Sequence, residues 1–163
     1  MDSLVGRARA LTLEDYFTGQ VRATGFVRSL TGKVIRRFHA DFVGATEGER
    51  TSIVETLDFD DGEHTVRNWS IDRTGPASYR GRGDDLLTPA HLDQVSSHEL
   101  RWRYHMAVPV SGRAVRMAVH DVMVLCEDDM LVSVTVLRKF GVTLARIHTV
   151  YQRAARPPWP NAF

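Results

Sequence analysis

The sequence contains a single cysteine, Cys126, among its 163 residues. One cysteine cannot form an intramolecular disulfide, and it provides no second thiolate for a zinc site. Because Cys126 ends an apolar run that begins at Val122, and free cysteines are among the most buried residues, we expect a buried, unreactive thiol. The chain must therefore rely on an apolar core, which this length can form without covalent or metal crosslinks.

Long apolar runs and an excess of one charge are also absent. No segment approaches the roughly 20 apolar residues that a transmembrane helix requires, and residues 1–10 lack the apolar stretch of a signal peptide, so we expect a cytoplasmic protein. Lys and Arg number 21, and Asp and Glu number 20. This balance gives no general attraction to nucleic acid or to an acidic membrane surface, so we expect no nucleic-acid partner. The oligomeric state stays open, with a homodimer as one possibility.

Motifs that would indicate a specific chemistry are missing as well. The seven histidines are scattered, and no two form a His-x-His or His-x-x-x-His pair, so we expect no metal site. Gly81-Arg82-Gly83 precedes no helical pattern and does not match a phosphate-binding loop. The Gly-x-Ser-x-Gly elbow of many hydrolases does not occur. The sequence predicts neither a metal nor another cofactor.

One helical signal lies near the N-terminus. Thr12 is a suitable N-cap, and acidic residues follow it in the first turn, as at the start of many helices. Leu13, Tyr16 and Phe17 then share one face, and Gly19 ends the helix. Such a short helix cannot form a layer of its own, but it is long enough to plug another structure.

From Gln20 onward, apolar and polar residues alternate with a period of two, which is typical of half-buried β-strands. Turn signals such as Asp61-Gly62 separate the strands, whereas the polar segment 83–97 is interpreted as a long loop. About eight to ten antiparallel strands with short connections favour an all-β, up-and-down barrel, because closure removes exposed edges. An open sandwich is the alternative architecture.

The length suits one domain. We assign residues 11–153 to a single β-barrel domain, residues 1–10 to a flexible N-terminus and residues 154–163 to a Pro-rich C-terminal tail. A small closed barrel has an interior that side chains fill or that holds one small ligand. Residues on its inner face are therefore the candidates for function.

Two carboxylates interrupt apolar faces of the predicted strands. Asp121 shares a face with Val and Met residues, and Glu55 shares one with Ile, Leu and Phe. An unpaired carboxylate at such a position is costly, so we expect it to be paired, hydrogen-bonded or protonated. Arg67, Arg116 and Arg138 are candidate partners. A buried ion pair, a polar group that orients a ligand, and a general acid or base are the three interpretations.

Four aromatic residues form the second group of candidates: Trp69, Tyr79, Trp102 and Tyr104. Trp102 and Tyr104 lie two residues apart and therefore share a face. They either pack in the core or line a pocket, since pockets are mainly apolar with a few placed polar groups. With the charged residues, the predicted ligand-binding set is Glu55, Arg67, Trp69, Tyr79, Trp102, Tyr104, Asp121 and Arg138.

Six short motifs follow one another along the chain: Leu13-Glu14-Asp15-Tyr16-Phe17-Thr18-Gly19, Phe59-Asp60-Asp61-Gly62-Glu63 with Arg67 and Trp69, Tyr79-Arg80-Gly81 with Asp84-Asp85, Trp102-Arg103-Tyr104, Pro109-Val110-Ser111-Gly112, and Arg138-Lys139-Phe140-Gly141. In this order they resemble the bacterial family known as domain of unknown function 3833, from about Leu13 to Arg153. The resemblance implies a lipocalin-like, calycin-type barrel and no known reaction. Many members resemble lipoproteins, but this sequence shows no lipoprotein signal, so we do not extend membrane anchoring to it.

Three functions are compatible with this sequence. The first is a non-enzymatic carrier or sensor that holds a small hydrophobic or amphipathic molecule, such as a lipid-like carboxylate or an isoprenoid. The second is an isomerase, dehydratase or hydrolase that uses Asp121 or Glu55 as general acid or base. The third is a structural or partner-binding domain with a filled core. We expect binding rather than catalysis.

Overall fold

The computed structural model of the protein describes residues 10–126 and 129–153. Apart from Ala10, the expected flexible N-terminus and the expected Pro-rich tail lie outside these residues. Within them, no helix is long and apolar enough to cross a membrane. The described elements are helix α1 (Leu13–Phe17) and the strands β1 (Gly19–Ser29), β2 (Val34–Glu47), β3 (Arg50–Phe59), β4 (His64–Gly75), β5 (Ser78–Gly83), β6 (Ala90–Ser96), β7 (Glu99–Val110), β8 (Arg113–Leu125), β9 (Leu131–Lys139) and β10 (Val142–Arg153).

The strands form a closed antiparallel barrel, which confirms the predicted fold class. Each strand pairs with its neighbours in sequence, and β1 also pairs with β10, from Val21 with Arg153 to Ser29 with Ala145. This last pairing closes the sheet, so no strand edge of the barrel is left open. The barrel encloses one interior, onto which alternate residues of every strand project.

The barrel has two different ends. At the helix end, α1 packs against β2 and β3. Thr12 Oγ1 accepts a hydrogen bond from Asp15 N at 3.2 Å, as predicted for the N-cap. Gly44 permits the close approach, because a Cβ at this position would overlap the carbonyl oxygen of Phe17. The apolar residues of the helix are all buried: Leu13, Tyr16 and Phe17. The opposite end, called the open end, carries the connections 30–33, 60–63, 84–89, 111–112 and 140–141.

Two expectations about local structure are wrong. Segment 83–97 is not one long loop, because β6 lies within it and pairs with β5 and β7. Only two residues of β6 are fully buried, Ala90 at 0% and Leu92 at 1% exposure. Two alternating apolar residues are too few to indicate a strand within a polar segment. Cys126 is exposed, because β8 ends at Leu125 and the chain leaves the barrel there.

Inward-facing side chains become more exposed from the helix end toward the open end. On β7, Leu100 is 0% and Trp102 7% exposed, whereas Tyr104 and Met106 are partly exposed. The same change occurs on β3, β9 and β10, where partly exposed residues lie on the inner face near the open end: Leu57, Phe59, Thr135, Leu137, Ala145 and Ile147. Because these side chains point inward, the solvent that reaches them enters through the open end. We call this interior the cup.

Candidate functional site

Glu55, Arg67 and Trp69 form a connected polar group in the cup. The pairing of β3 with β4 places Glu55 opposite Arg67. Trp69 Nε1 donates a hydrogen bond to Glu55 Oε2 at 2.6 Å, and Arg67 Nη1 lies 3.5 Å from the same oxygen. Arg67 also donates two hydrogen bonds to Asp85, from Nε at 2.6 Å and from Nη2 at 2.7 Å. A single guanidinium therefore neutralises one carboxylate inside the cup and a second at its mouth.

Three aromatic rings form one wall of the cup. The ring of Trp69 packs edge to face against Trp102 at a centroid distance of 5.5 Å and against Tyr104 at 5.7 Å. Trp69 lies on β4 and Trp102 on β7, so the two rings meet across β5 and β6. Gly83 on β5, which pairs with Trp69, has no side chain beside this contact, and a Cβ there would lie 3.5 Å from the Trp69 ring. The result is a large apolar surface with the polar edges of two indoles and one phenol.

Asp121 lies at the foot of this wall, opposite Trp102 on β7 and Thr135 on β9. Among the described residues, three buried atoms on adjacent strands of the cup make no hydrogen bond of good geometry: Trp102 Nε1, Asp121 Oδ1 and Ser133 Oγ. The Ser133 hydroxyl nevertheless lies close enough to Asp121 and Tyr151 to lower the pKa of both. Leaving such a group unpaired costs about 1–3 kcal/mol each. The set includes a donor, an acceptor and a hydroxyl that can serve as either. Solvent or a bound molecule can complete the hydrogen bonds of Trp102 Nε1 and Asp121 Oδ1, whereas Ser133 already has protein neighbours.

Two carboxyl groups inside the cup, those of Asp121 and Glu55, have raised pKa values. Burial is the main reason that the pKa of Asp121 is raised to about 7; the charge of Glu55 adds to this, and the hydroxyl groups of Thr135 and Ser133 oppose it. Burial also raises the pKa of Glu55, although the charge of Arg67 and the Trp69 donor lower it. Asp121 is therefore partly protonated at neutral pH, and it can both donate and accept a hydrogen bond.

The structure brings six of the eight predicted residues together in the cup and excludes two. Tyr79 is buried at the helix end, where its hydroxyl donates to Glu14 Oε2 at 2.7 Å and accepts from Arg73 Nη2 at 2.8 Å. Arg138 is exposed on the outer face of β9, and its Nε donates to Thr143 Oγ1 at 3.3 Å. The prediction that Arg138 belongs to the ligand-binding set is wrong. The side chains of β9 that point inward belong to odd-numbered residues, such as Leu131 and Ser133, and Arg138 therefore points outward. The six residues in the cup are Glu55, Arg67, Trp69, Trp102, Tyr104 and Asp121.

Comparison with known proteins identifies the family. The family described as protein of unknown function (DUF3833) matches residues 1–153. The chain belongs to this family. Among curated proteins, none matches the sequence significantly. Of the solved structures, the S-type phycobiliprotein lyase CPES from Guillardia theta is similar at a TM-score of 0.56 and 9% identity, over 88% of this chain and 93% of that chain. At this identity the likeness concerns the fold, a lipocalin-like barrel.

Sequence reasoning missed three polar residues of the site. Ser133 and Thr135 lie on β9, where both faces are rich in valine and leucine, so alternation does not distinguish inside from outside. Asp85 lies in the segment that we interpreted as a loop, and its link to Arg67 depends on a contact between distant parts of the chain. The one available signal is that Ser133 and Thr135 are two polar residues two positions apart in an apolar strand.

Other features of the surface are weaker candidates. A depression of about 630 Å³ lies outside the barrel wall on β2–β4, lined by Ala45, Glu47, Glu49, Arg50, Ser52 and Asp72. Its main charges satisfy each other, since Arg50 Nε donates to Asp72 Oδ1 at 2.8 Å. In the part of the chain that the structure describes, no three His, Cys, Asp or Glu side chains are grouped to hold a metal ion. The cup is thus the candidate site.

Proposed function

We propose that the cup binds one small amphipathic molecule, whose apolar part lies against Trp69, Trp102 and Tyr104 and whose polar group meets Asp121. The observation that carries this proposal is the set of unpaired polar atoms on β7, β8 and β9, at the foot of an aromatic wall. A core that is simply filled satisfies its buried polar groups. The partly exposed inner face near the open end supports entry from that side.

The charges of the cup favour a particular polar group on the ligand. Arg67 is already paired with Glu55 and Asp85, and Arg36, which lies over the Phe59 ring near the open end, is paired with Asp61 and Glu63. Among the described residues, no free cation lies next to Asp121 to receive an anionic group. The polar group of the ligand is therefore a hydrogen-bond donor, such as an ammonium or a hydroxyl, rather than the carboxylate considered from the sequence.

Three probes with the same alkyl chain test this proposal: dodecylamine, dodecanol and dodecanoate, titrated against tryptophan fluorescence. We expect saturable binding of the amine and the alcohol. Dodecanoate should bind roughly tenfold more weakly or worse, because it replaces a charge-assisted hydrogen bond of about 1.5–3 kcal/mol with repulsion. Asp121 ionises as the pH rises through about 7, while an alkylammonium stays protonated. Dodecylamine binding should therefore strengthen between pH 6 and 8.

The variants Asp121→Asn and Trp102→Phe provide the decisive comparison. Asp121→Asn keeps the shape of the side chain and removes its negative charge, so it should weaken dodecylamine binding about tenfold. Trp102→Phe keeps an aromatic ring and removes the indole N–H, from which a hydroxyl can accept a hydrogen bond and an ammonium cannot, so it should weaken dodecanol binding about tenfold. Asp93→Asn is the matched control, since Asp93 lies on β6 with a side chain 49% exposed. The proposal is overturned if none of the three probes binds saturably, or if Asp121→Asn binds dodecylamine and Trp102→Phe binds dodecanol as the control does.

A second candidate function is acid–base catalysis, which the pKa of Asp121 near neutrality favours. The test uses the protein as purified: native mass spectrometry detects a bound molecule, and extraction isolates it. Conversion of that molecule by the wild-type protein, and its loss in Asp121→Asn, would establish an enzyme. Unchanged recovery of the molecule after incubation with both proteins would exclude this candidate.

A further inference from the structure

Three neighbouring hairpins of the open end carry exposed apolar side chains. The strand order places the β1–β2, β9–β10 and β7–β8 connections side by side around the mouth of the cup. Their tips present exposed residues of one kind: Leu30, Val34, Ile35, Val110, Phe140 and Val142. Apolar tips on adjacent hairpins form a larger exposed apolar area than scattered surface residues do.

The same three hairpins are uniformly basic. Segments 28–35, 108–116 and 138–146 contain seven cationic residues and no acidic residue: Arg28, Lys33, Arg113, Arg116, Arg138, Lys139 and Arg146. Within the described residues, none of these cations forms an ion pair with a carboxylate. The other two connections of the open end are acidic, with Asp60, Asp61 and Glu63 on one and Asp84 and Asp85 on the other. Ion pairs with Arg36, Arg37 and Arg67 neutralise most of these carboxylates, so the unpaired charge of the rim is concentrated on the three basic hairpins.

Phe140 is the most unusual residue of this rim. Its backbone has a φ of 50°, in the left-handed region that is unfavourable for a bulky L-residue, and a hairpin turn of this kind favours Asn before Gly. Its side chain is nonetheless 93% exposed, and its ring contacts Lys139 Nζ at 5.2 Å from the centroid. Neither the turn nor the core of this protein explains an aromatic residue here.

We infer that these three hairpins dock the open end of the barrel onto an anionic lipid membrane. The apolar tips enter the headgroup region, and the seven cations lie against anionic headgroups. A lipid surface fits better than a protein partner, because the cations are spread over three hairpins and no carboxylate pairs with them. The other two connections, whose carboxylates are largely ion-paired, lie on the far side of the rim, so the barrel docks tilted toward the three basic hairpins. This inference concerns the outer rim and does not rest on ligand binding in the cup.

Co-sedimentation with vesicles tests the inference. The full chain should bind vesicles of phosphatidylcholine mixed with phosphatidylglycerol and should bind pure phosphatidylcholine weakly. Raising the ionic strength from about 0.1 M to about 1 M shortens the screening length from about 10 Å to about 3 Å and should weaken the binding. Equal binding to both kinds of vesicle, or binding to neither, would overturn the inference.

Two variants examine the two contributions separately. Phe140→Asn removes the ring and suits the left-handed turn, so the protein should fold at least as well and bind anionic vesicles roughly tenfold more weakly. Lys33→Glu with Arg113→Glu should lower binding by about 30-fold or more, since each cation near an anionic surface contributes about fivefold.

The control is Arg80→Glu with Arg82→Glu, which makes the same change in net charge on the outer face of β5. It should retain most vesicle binding. A loss as large as that of Lys33→Glu with Arg113→Glu would show that only net charge matters and would refute the docking face. A third outcome is that the wild type does not bind vesicles and that the Lys33→Glu, Arg113→Glu variant differs from it in oligomeric mass. This result would refute membrane docking and would show that the rim is a contact between copies of the chain. Asp121→Asn should bind vesicles like the wild type, which separates this test from that of the cup.

Discussion

Replacement of Asp121 by Asn should change the stability of the protein in a way that depends on pH. The folded-state pKa of Asp121 is about 7, against 3.8 for an unperturbed aspartate. Each pKa unit of difference between the folded and unfolded states corresponds to about 1.36 kcal/mol, so full ionisation costs the folded state about 4 kcal/mol. Because the folded pKa is the higher one, stability is greatest below the unfolded pKa and falls as the pH rises through about 7. Asparagine cannot ionise and avoids this cost.

The assay is urea unfolding of the wild type and of Asp121→Asn, followed by tryptophan fluorescence at several pH values between 4.5 and 8.5. The difference in unfolding free energy should shift in favour of Asn by roughly 3 kcal/mol across this range, and most of the change should occur below pH 7.5. All other titrating groups are common to both proteins and largely cancel. Asp41→Asn is the control, since Asp41 is exposed and should give a small difference at every pH. A pH-independent difference for Asp121→Asn would refute the buried, partly protonated carboxyl.

Three further changes test the surrounding structure by thermal or urea unfolding. Arg67→Met should destabilise the protein by roughly 3–5 kcal/mol, because it leaves the buried carboxylate of Glu55 without a cation; adding Glu55→Gln should restore part of this loss, and an additive double variant would contradict the pairing. Gly44→Ala should cost roughly 1–3 kcal/mol, because the new methyl group would displace α1 at Phe17; wild-type stability would show that the approach is looser in solution. Tyr79→Phe should cost about 1–2 kcal/mol through its lost hydrogen bonds and leave dodecylamine affinity unchanged, whereas a weaker affinity would connect the helix end to the cup.

The sequence predicts this architecture well because the information it requires is local. Alternation of apolar and polar residues identifies an inner and an outer face, as on β7, where Trp102 and Tyr104 point inward and Arg101 and Arg103 are exposed. Gly62 has a φ of 88° at the turn that the Asp-Gly pair indicates. Closure then follows from the number of strands and from the cost of open edges. Each of these steps uses neighbours in sequence.

The candidate site is predicted less completely, because its composition depends on contacts between distant strands. Arg138 and Ser133 both lie on β9, where the outward residue Val134 is as apolar as the inward Leu137, so periodicity carries no direction. Tyr79 points toward the barrel interior, as a pocket residue must. However, α1 packs over the helix end of the barrel, where Glu14 accepts a hydrogen bond from the Tyr79 hydroxyl. Whether an inward residue lines the cup or closes it is decided by the path of the helix.

The distribution of unpaired buried atoms locates the site better than the distribution of charge does. Of the five such atoms among the described residues, two are the Nε atoms of Arg36 and Arg153, whose guanidinium groups already form ion pairs with carboxylates. At the helix end, Glu14, Arg73 and Tyr79 satisfy one another. The atoms that remain belong to Trp102, Asp121 and Ser133, and all three lie below the part of the barrel that solvent reaches. A molecule that completes these hydrogen bonds has one route to them, through the open end, whose rim carries the apolar and basic hairpins.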